Sequence, residues 1–319
     1  MSTNTGKTVL GIDIGGTYTK FGLVDPAGRP LFVSHMPTRA DRPAEDLFGR
    51  LAEAYREHVR PLDTALEVSG AGIGAPNVNA NTGIIVSAPN LSWRDTDIPA
   101  LSETYLGLFA RADNDANAWA LGEMLYGAAR GMRDFVLVTL GTGLGSGIVV
   151  DGRVVRGHTG YASELGHVTV VPGGRRCGCG RRGCLETYAS ATGLVRTVLE
   201  LLAEKGVRGS LAGTPPSALD AKQVADAARD GDEVARTALE RTAAILGRAL
   251  ADTTCHTSPR AFVLAGGLAG AGDLILEPVR RHLEENHFPA FANTVEVLAS
   301  GLPEDTAGVL GAAALWREG

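Results

Sequence analysis

Between Glu164 and Glu186 the chain reads ELGHVTVVPGGRRCGCGRRGCLE. Three of the four cysteines (Cys177, Cys179, Cys184) fall there within eight residues, and His167 lies ten residues before the first of them. Three thiolate sulfurs and one imidazole nitrogen make a closed tetrahedral set for zinc. Gly178, Gly180 and Gly183 allow the backbone to curl so that all three sulfurs reach one ion. The plainer alternatives are free thiols in a glycine-rich loop, or a disulfide. A disulfide would strand one thiol, and the amino terminus MSTNTGKTVL lacks the apolar core of an export signal. Structural Zn²⁺ on His167, Cys177, Cys179 and Cys184 is therefore expected. Glu164 precedes His167 by three residues, so one helical turn would align them, and Glu186 follows the last cysteine by two. A zinc-bound imidazole keeps its second nitrogen for another bond. The stretch would thus offer two carboxylates and an N–H to a hydroxyl-rich ligand, unless both glutamates are simply solvated.

A second kind of chemistry sits in three glycine clusters. Gly15-Gly16-Thr17 follows the apolar strand Thr8 to Ile14 and precedes another, Phe21 to Val24. Backbone N–H groups freed there form an anion nest, and Asp13 beside it could hold Mg²⁺ through water; a plain hairpin would explain the glycines equally well. The pattern returns at Phe135 to Val150, where Gly141-Thr142-Gly143-Leu144-Gly145-Ser146-Gly147 lies between two strands. The repeat suggests duplication into two related lobes. The third cluster, Gly266-Gly267 onward, follows the strand Ala261 to Leu264 and is expected to open a helix, which suits a nucleotide phosphate. Gly70 to Ala75 matches a dinucleotide fingerprint in letters, but Pro76 stands where that fingerprint needs helix, so it is rejected. Asp115 falls where a strand gives way to a helix, which makes it either a capping acid or a reactive carboxylate. Asn90 is either a loop cap or a ligand contact.

The elements around these residues are those of an α/β chain. Residues 8–33 read as a β-meander. A helix follows with Leu47, Leu51, Ala54, Tyr55 and Val59 on one face, ending near Pro61. A strand from Leu66 to Ile73 is next, and then a short hairpin over residues 78–90. Helices are expected at 99–106, 116–127, 191–204, 221–229, 233–254 and 306–316, with a last strand at 295–298. A length of 319 residues allows one large or two medium domains. Net charge is −6, and the only local run of cations, Arg175, Arg176, Arg181 and Arg182, carries no interleaved aromatics. It reads as solvated loop charge rather than a nucleic-acid patch. No run reaches membrane-spanning length, so a soluble, cytoplasmic protein with neither nucleic-acid nor membrane partner is expected. Cys255 reads as a structural thiol.

Taken together, DIGGT (Asp13 to Thr17), GIGAP (Gly72 to Pro76), NDAN (Asn114 to Asn117), LGTGLGSG (Leu140 to Gly147), ELGH (Glu164 to His167), CGCGRRGCLE (Cys177 to Glu186) and AGGLA (Ala265 to Ala269) resemble the repressor/open-reading-frame/sugar-kinase (ROK) family, and within it the bacterial glucokinases. The order of the motifs and the His-to-Cys spacing carry the resemblance. It implies an actin-like pair of ribonuclease-H-like lobes around a central cleft: 1–117 with 303–319 as the smaller lobe, 118–302 as the larger lobe with the zinc loop. It also implies ATP-dependent phosphorylation of glucose at the 6-hydroxyl, with Asp115 as general base. Gly74, Asn90, Asn114, Glu164, His167 and Glu186 would join Asp115 in binding the sugar. Asp13, Gly15, Gly16, Thr17, Lys20, Thr142, Gly143, Gly266 and Gly267 would surround Mg²⁺-ATP. An N-acetylmannosamine, N-acetylglucosamine or other hexose substrate is the alternative, and a homodimer or homotetramer is implied. Repressors of the family carry a DNA-binding module ahead of the DIGGT strand, where this sequence has about a dozen residues. The sequence departs from the family at Asn77, where glycine is usual; asparagine tolerates the same positive φ.

Overall fold

The computed structural model describes residues 7–59, 67–88, 90–204 and 208–318. The chain divides into two compact units of about equal length. One comprises Met1–Gly131, Val154–Ala162 and Gly301–Gly319; the other comprises Met132–Arg153 and Ser163–Ser300.

In the first unit, β1 (Thr8–Ile14), β2 (Tyr18–Val24) and β3 (Pro30–Pro37) form an antiparallel meander, and β4 (Val68–Ala75) runs parallel to β1. A separate ribbon of β5 (Ile84–Ser87) and β6 (Arg94–Asp97) follows, and then β7 (Ala110–Asn114) adds in parallel to β4, giving the order β3-β2-β1-β4-β7. Alternation along β1 divides its side chains between two cores. Leu10, Ile12 and Ile14 pack with α1 (Ala44–Ala54) and α2 (Ile98–Leu106), while Val9 packs with the last helix, Ala307–Arg317. That helix rests directly on the sheet. A Cβ at Gly72 would stand 1.8 Å from the carbonyl oxygen of Ala312, so only glycine permits the approach.

The second unit repeats the design. β8 (Phe135–Leu140) pairs antiparallel with β9 (Leu144–Val150), β10 (Arg153–Val154) lies outside β9, and β11 (Ala261–Ala265) and β12 (Glu296–Ala299) add in parallel on the other side of β8. The order β10-β9-β8-β11-β12 is the order of the first sheet when each is counted from its own first strand, as the repeated glycine pattern suggested. β8 and β11 are almost wholly buried, as central parallel strands are, which explains their unbroken apolar runs. Their core is shared with α4 (Glu186–Ala189), α5 (Ala191–Leu202), α6 (Ala221–Arg229), α7 (Glu233–Thr257) and α8 (Asp273–Asn286).

Three expectations differ from the structure. The unit boundary falls after Gly131 rather than at residue 117, because α3 (Asp115–Tyr126) packs on the last helix, with Gly122 and Gly311 in close approach. The units are therefore not a smaller and a larger lobe. The expected hairpin over 78–90 is different too: β5 pairs with Arg94–Asp97, and Val78 makes only a single bridge to Ile85. The sequence RDTD is polar and mostly exposed, so it carries no apolar alternation to signal a strand. After α1 the chain widens into a π turn, Tyr55–Val59; the expected helix end near Pro61 and strand start at Leu66 lie outside the described residues, as does Pro89. Asn77 does adopt positive φ, 55°. Among the described residues no helix is long and apolar enough to cross a membrane.

Candidate functional site

In the first unit the candidate residues gather at the carboxyl ends of three adjacent parallel strands, where open α/β sheets bind ligands. Asp13 on β1 is level with Gly74 on β4, and Gly74 with Asp113 on β7. A Cβ on Gly74 would lie 3.5 Å from Cα of Asp115 and 4.0 Å from Oδ1 of Asp13, so the two acids flank this glycine. Burial pushes the Asp13 carboxyl up to about 7; the charge of Asp115 adds to the effect, and Lys20, its cross-strand partner, opposes it. Gly15 closes the following turn by donating to the carbonyl of Tyr18, and the Thr38 hydroxyl donates to the carbonyl of Gly15. Gly16 and Thr17 form the tip, and Asn90 sits beside it, its Cβ 3.2 Å from the place a Cβ on Gly16 would take.

The strand-to-helix turn gives the N-cap position to Asn114 rather than to Asp115. Asn114 is the N-cap, its Oδ1 accepting from the N–H of Ala116 at 2.9 Å. Asp115 is the first helical residue, and its Oδ1 also accepts from Ala116, at 2.9 Å. Its surface is open to solvent, yet the protein packed around it pushes its carboxyl above the usual carboxylate range, with the Ala116 N–H opposing.

In the second unit, Gly141-Thr142-Gly143 turns between β8 and β9, and is tied down by Ala191 N–H on the carbonyl of Gly141 and by the Thr192 hydroxyl on that of Thr142, at 2.7 Å. Gly266 and Gly267 leave β11 beside it, with Leu268 N–H donating to the carbonyl of Leu140 at 3.0 Å. The expected helix follows the cluster, which runs to Gly272, but not directly after Gly266 and Gly267. A short 3₁₀ turn, Ala269–Ala271, intervenes and α8 begins at Asp273, because Gly266 (φ +85°) and Gly272 (φ +65°) both take left-handed backbone.

The metal candidates converge. Ligand atoms of His167, Cys177, Cys179 and Cys184 all lie within 4.8 Å of one another. Nδ1 of His167 is 3.7 Å from the Cys177 sulfur, and the sulfurs of Cys179 and Cys184 are 3.7 Å apart. Three thiols and one imidazole within this reach fit a tetrahedral zinc. The Nε2 of His167 turns instead toward Glu164, 3.9 Å away, across the 3₁₀ turn Leu165–His167. Burial pushes the Cys177 thiol up to about 12, while a hydrogen bond from the Arg181 backbone holds the Cys179 thiol down. Glu186 links this knuckle to the glycine turn: Oε2 accepts from the N–H of Leu144 at 3.1 Å, and Oε1 lies 3.6 Å from the Cys177 sulfur.

The cation run divides. Arg176, Arg181 and Arg182 are exposed, as solvated loop charges should be, although Arg181 also braces the carbonyl of His167. Arg175 is not solvated. It is 9 % exposed, lies over the ring of Tyr188, pairs with Glu200, and donates to the carbonyls of Thr187 and Gly193. Spacing in a loop gave no hint of this, because its partners lie on α4 and α5. Two buried acids were also missed. Asp113 precedes the NDAN motif, and its one sequence signal was Asn117 four residues on. Glu123, fully buried, accepts from the N–H groups of Ala128 and Gly301. A cavity of about 780 Å³ in the first unit, between the turn at Pro26–Pro30 and the segment Gly301–Thr306, touches none of the candidate residues.

Duplicated sheets of identical order, each ending in a glycine-rich turn, place the chain in the actin-like ATPase class of α/β folds. The model of the ROK family matches residues 9–319, and the chain belongs to that family. It is 38% identical to a glucokinase of Thermotoga maritima over 97% of both chains. Its structure matches a ROK family glucokinase of Streptomyces griseus in complex with glucose and AMPPNP, with a TM-score of 0.82 and 34% identity over 98% of this chain and 100% of that one. A xylose repressor of Caldicellulosiruptor bescii is 29% identical over 97% of this chain and 77% of its own length.

Proposed function

We propose that this chain transfers the γ-phosphoryl group of ATP to the 6-hydroxyl of glucose. The observation that carries the reading is Asp115: a solvent-exposed carboxylate at the first helical position, where Asn114 is the N-cap, beside Asp13, in a chain 38% identical to a glucokinase over 97% of both lengths. Asp115 takes the proton of the 6-hydroxyl as its oxygen forms the new bond to phosphorus and ADP departs. Asn90, Asn114 and Gly74 are the sugar-binding candidates of the first unit, and Glu164, His167 and Glu186 are those of the second. Phosphoryl transfer leaves the protein mainly orientation and charge stabilisation to supply. Gly15, Gly16, Thr17 and Lys20, with Thr142, Gly143, Gly266 and Gly267, bind the nucleotide through backbone N–H groups and one ammonium. Asp13 would hold Mg²⁺, which when bound neutralises phosphate charge. Zinc on His167, Cys177, Cys179 and Cys184 would fix the Nδ1-bound tautomer of His167 and seat Glu186.

The test is ADP release with Mg²⁺-ATP across glucose, mannose, fructose, allose, N-acetylmannosamine and N-acetylglucosamine. The highest kcat/KM on glucose is expected. A preference for an N-acetylated sugar would move the assignment to an amino-sugar kinase, and absence of turnover on every sugar would refute the kinase reading.

A further inference from the structure

Asp113 is the penultimate residue of β7, two residues before the base, and is 1% exposed. Its Oδ1 accepts from the N–H of Asn114 at 2.7 Å and from Nδ2 of Asn117 at 2.9 Å. One oxygen therefore binds the chain on both sides of Asp115, at the strand end and in the first turn of α3. Its Oδ2 accepts from Nε of Arg156 at 2.9 Å. The same guanidinium reaches Glu318 beyond the last helix, through Nη1 at 3.2 Å and through Nη2. Arg156 lies on Val154–Ala162, the segment that joins the first unit from the midst of the second unit's sequence. That segment is anchored by Asn79 Nδ2 on the carbonyl of Thr159 at 2.9 Å and by Asn81 Nδ2 on that of His158 at 3.2 Å.

The buried amide of Asn117 shows that the carboxylate sets the orientation here. Its nitrogen is given to Asp113, while its Oδ1 is buried with no partner among the described residues. Turning the amide over would aim that oxygen at an anion. Burial pushes the Asp113 carboxyl upward, and Asn117 and Arg156 oppose it. Loss of the guanidinium would push the carboxyl further toward its protonated form, whose O–H suits neither of the N–H donors on Oδ1.

We propose that Asp113, held by Arg156, is the positioning residue of the catalytic base, setting the placement of Asn114 and Asp115 without touching substrate. This rests on the reading of Asp115 as the base. The plain alternative is that the ion pair only fastens Val154–Ala162 to its unit, which would affect melting temperature but not turnover of the folded enzyme.

The experiment compares R156M, R156K, D113N and D115N by steady-state ADP release, with melting temperatures read in parallel. Misplacing a reacting group by about 1 Å lowers turnover ~100-fold, so R156M and D113N should lose about 10- to 100-fold in kcat with glucose KM within about threefold of wild type. Guanidinium ion added at millimolar concentration should restore part of the R156M loss and none of the D113N loss, and R156K should fall between R156M and wild type. Unchanged kcat in R156M and D113N, with D115N inactive, would overturn the inference and leave the base assignment standing. An active D115N would remove the base assignment and the inference together. Should R156M not fold, D113N carries the test alone, since it keeps side-chain volume and the Oδ1 acceptor.

Discussion

Gly143 offers a way to displace the carboxylate proposed to bind sugar, that of Glu186, by a methyl group placed elsewhere. Its φ is not in the left-handed region, so alanine is compatible with the backbone. A Cβ there would stand 2.4 Å from Oε2 of Glu186 and 3.3 Å from its Cδ. Ordinary contact demands a retreat of about 1 Å, and the side chain can give because it is only half-buried. The retreat breaks the 3.1 Å hydrogen bond from Leu144 N–H. A hydrogen bond to a charged group contributes about 1.5–3 kcal/mol, so glucose KM should rise ~10- to 100-fold if Glu186 must hold this position to bind sugar. The assay is initial-rate ADP release at saturating Mg²⁺-ATP. G141A is the control, since a Cβ at Gly141 would meet nothing within 4 Å among the described residues beyond its own chain neighbours. In an E186A background the KM effect of G143A should vanish. An equal effect with and without Glu186, or an equal effect from G141A, would refute the reasoning.

Three further outcomes are expected. As the proposed base Asp115 would act only when ionised, and its pKa is raised, so kcat/KM should fall with falling pH on a limb above the ordinary carboxylate range; D115N should lose about 10²- to 10⁴-fold in kcat while calorimetry still registers glucose, and a wild-type pH profile in D115N would count against it. Elemental analysis should find one zinc per chain, lost in C179S along with glucose affinity; a metal-free chain with full affinity would sever that link. R175M takes a donor from the carbonyl of Thr187 and one from that of Gly193, which keeps the Thr197 hydroxyl, and should lower stability by about 1–3 kcal/mol in urea unfolding, discounted for the half-exposed Glu200; an unchanged midpoint would mean that the buried guanidinium contributes nothing net.

What could be read from residues alone was what local pattern encodes. Strands such as Thr8–Ile14 and Ala261–Ala265 announce themselves by apolar runs ending in glycine, and the His-to-Cys spacing places four ligands in one short stretch. Contacts between distant segments were not legible. Arg175 looks like its three exposed neighbours until α4 and α5 fold over it. Arg94–Asp97 is a strand only because Ile84–Ser87 lies alongside. Asp115 sat where a cap is common, and only geometry shows Asn114 taking that role. Asp113 carries a local clue in Asn117, but Arg156 stands 43 positions away.

The three-segment make-up of the first unit also bears on how the chain emerges from the ribosome. Residues 1–131 are synthesised first, yet the face of their sheet that carries Val9 and Val24, although Trp119 and Tyr126 of α3 pack there, lacks most of its cover until Ala307–Arg317 has been made. The second unit has no such wait, because its own segments are complete by Ser300. Although domains commonly fold in order of synthesis, here the later-encoded unit can finish before the earlier one. A ribosome stalled before Ala307 would hold a nascent chain with an apolar sheet face bared, a natural target for chaperones.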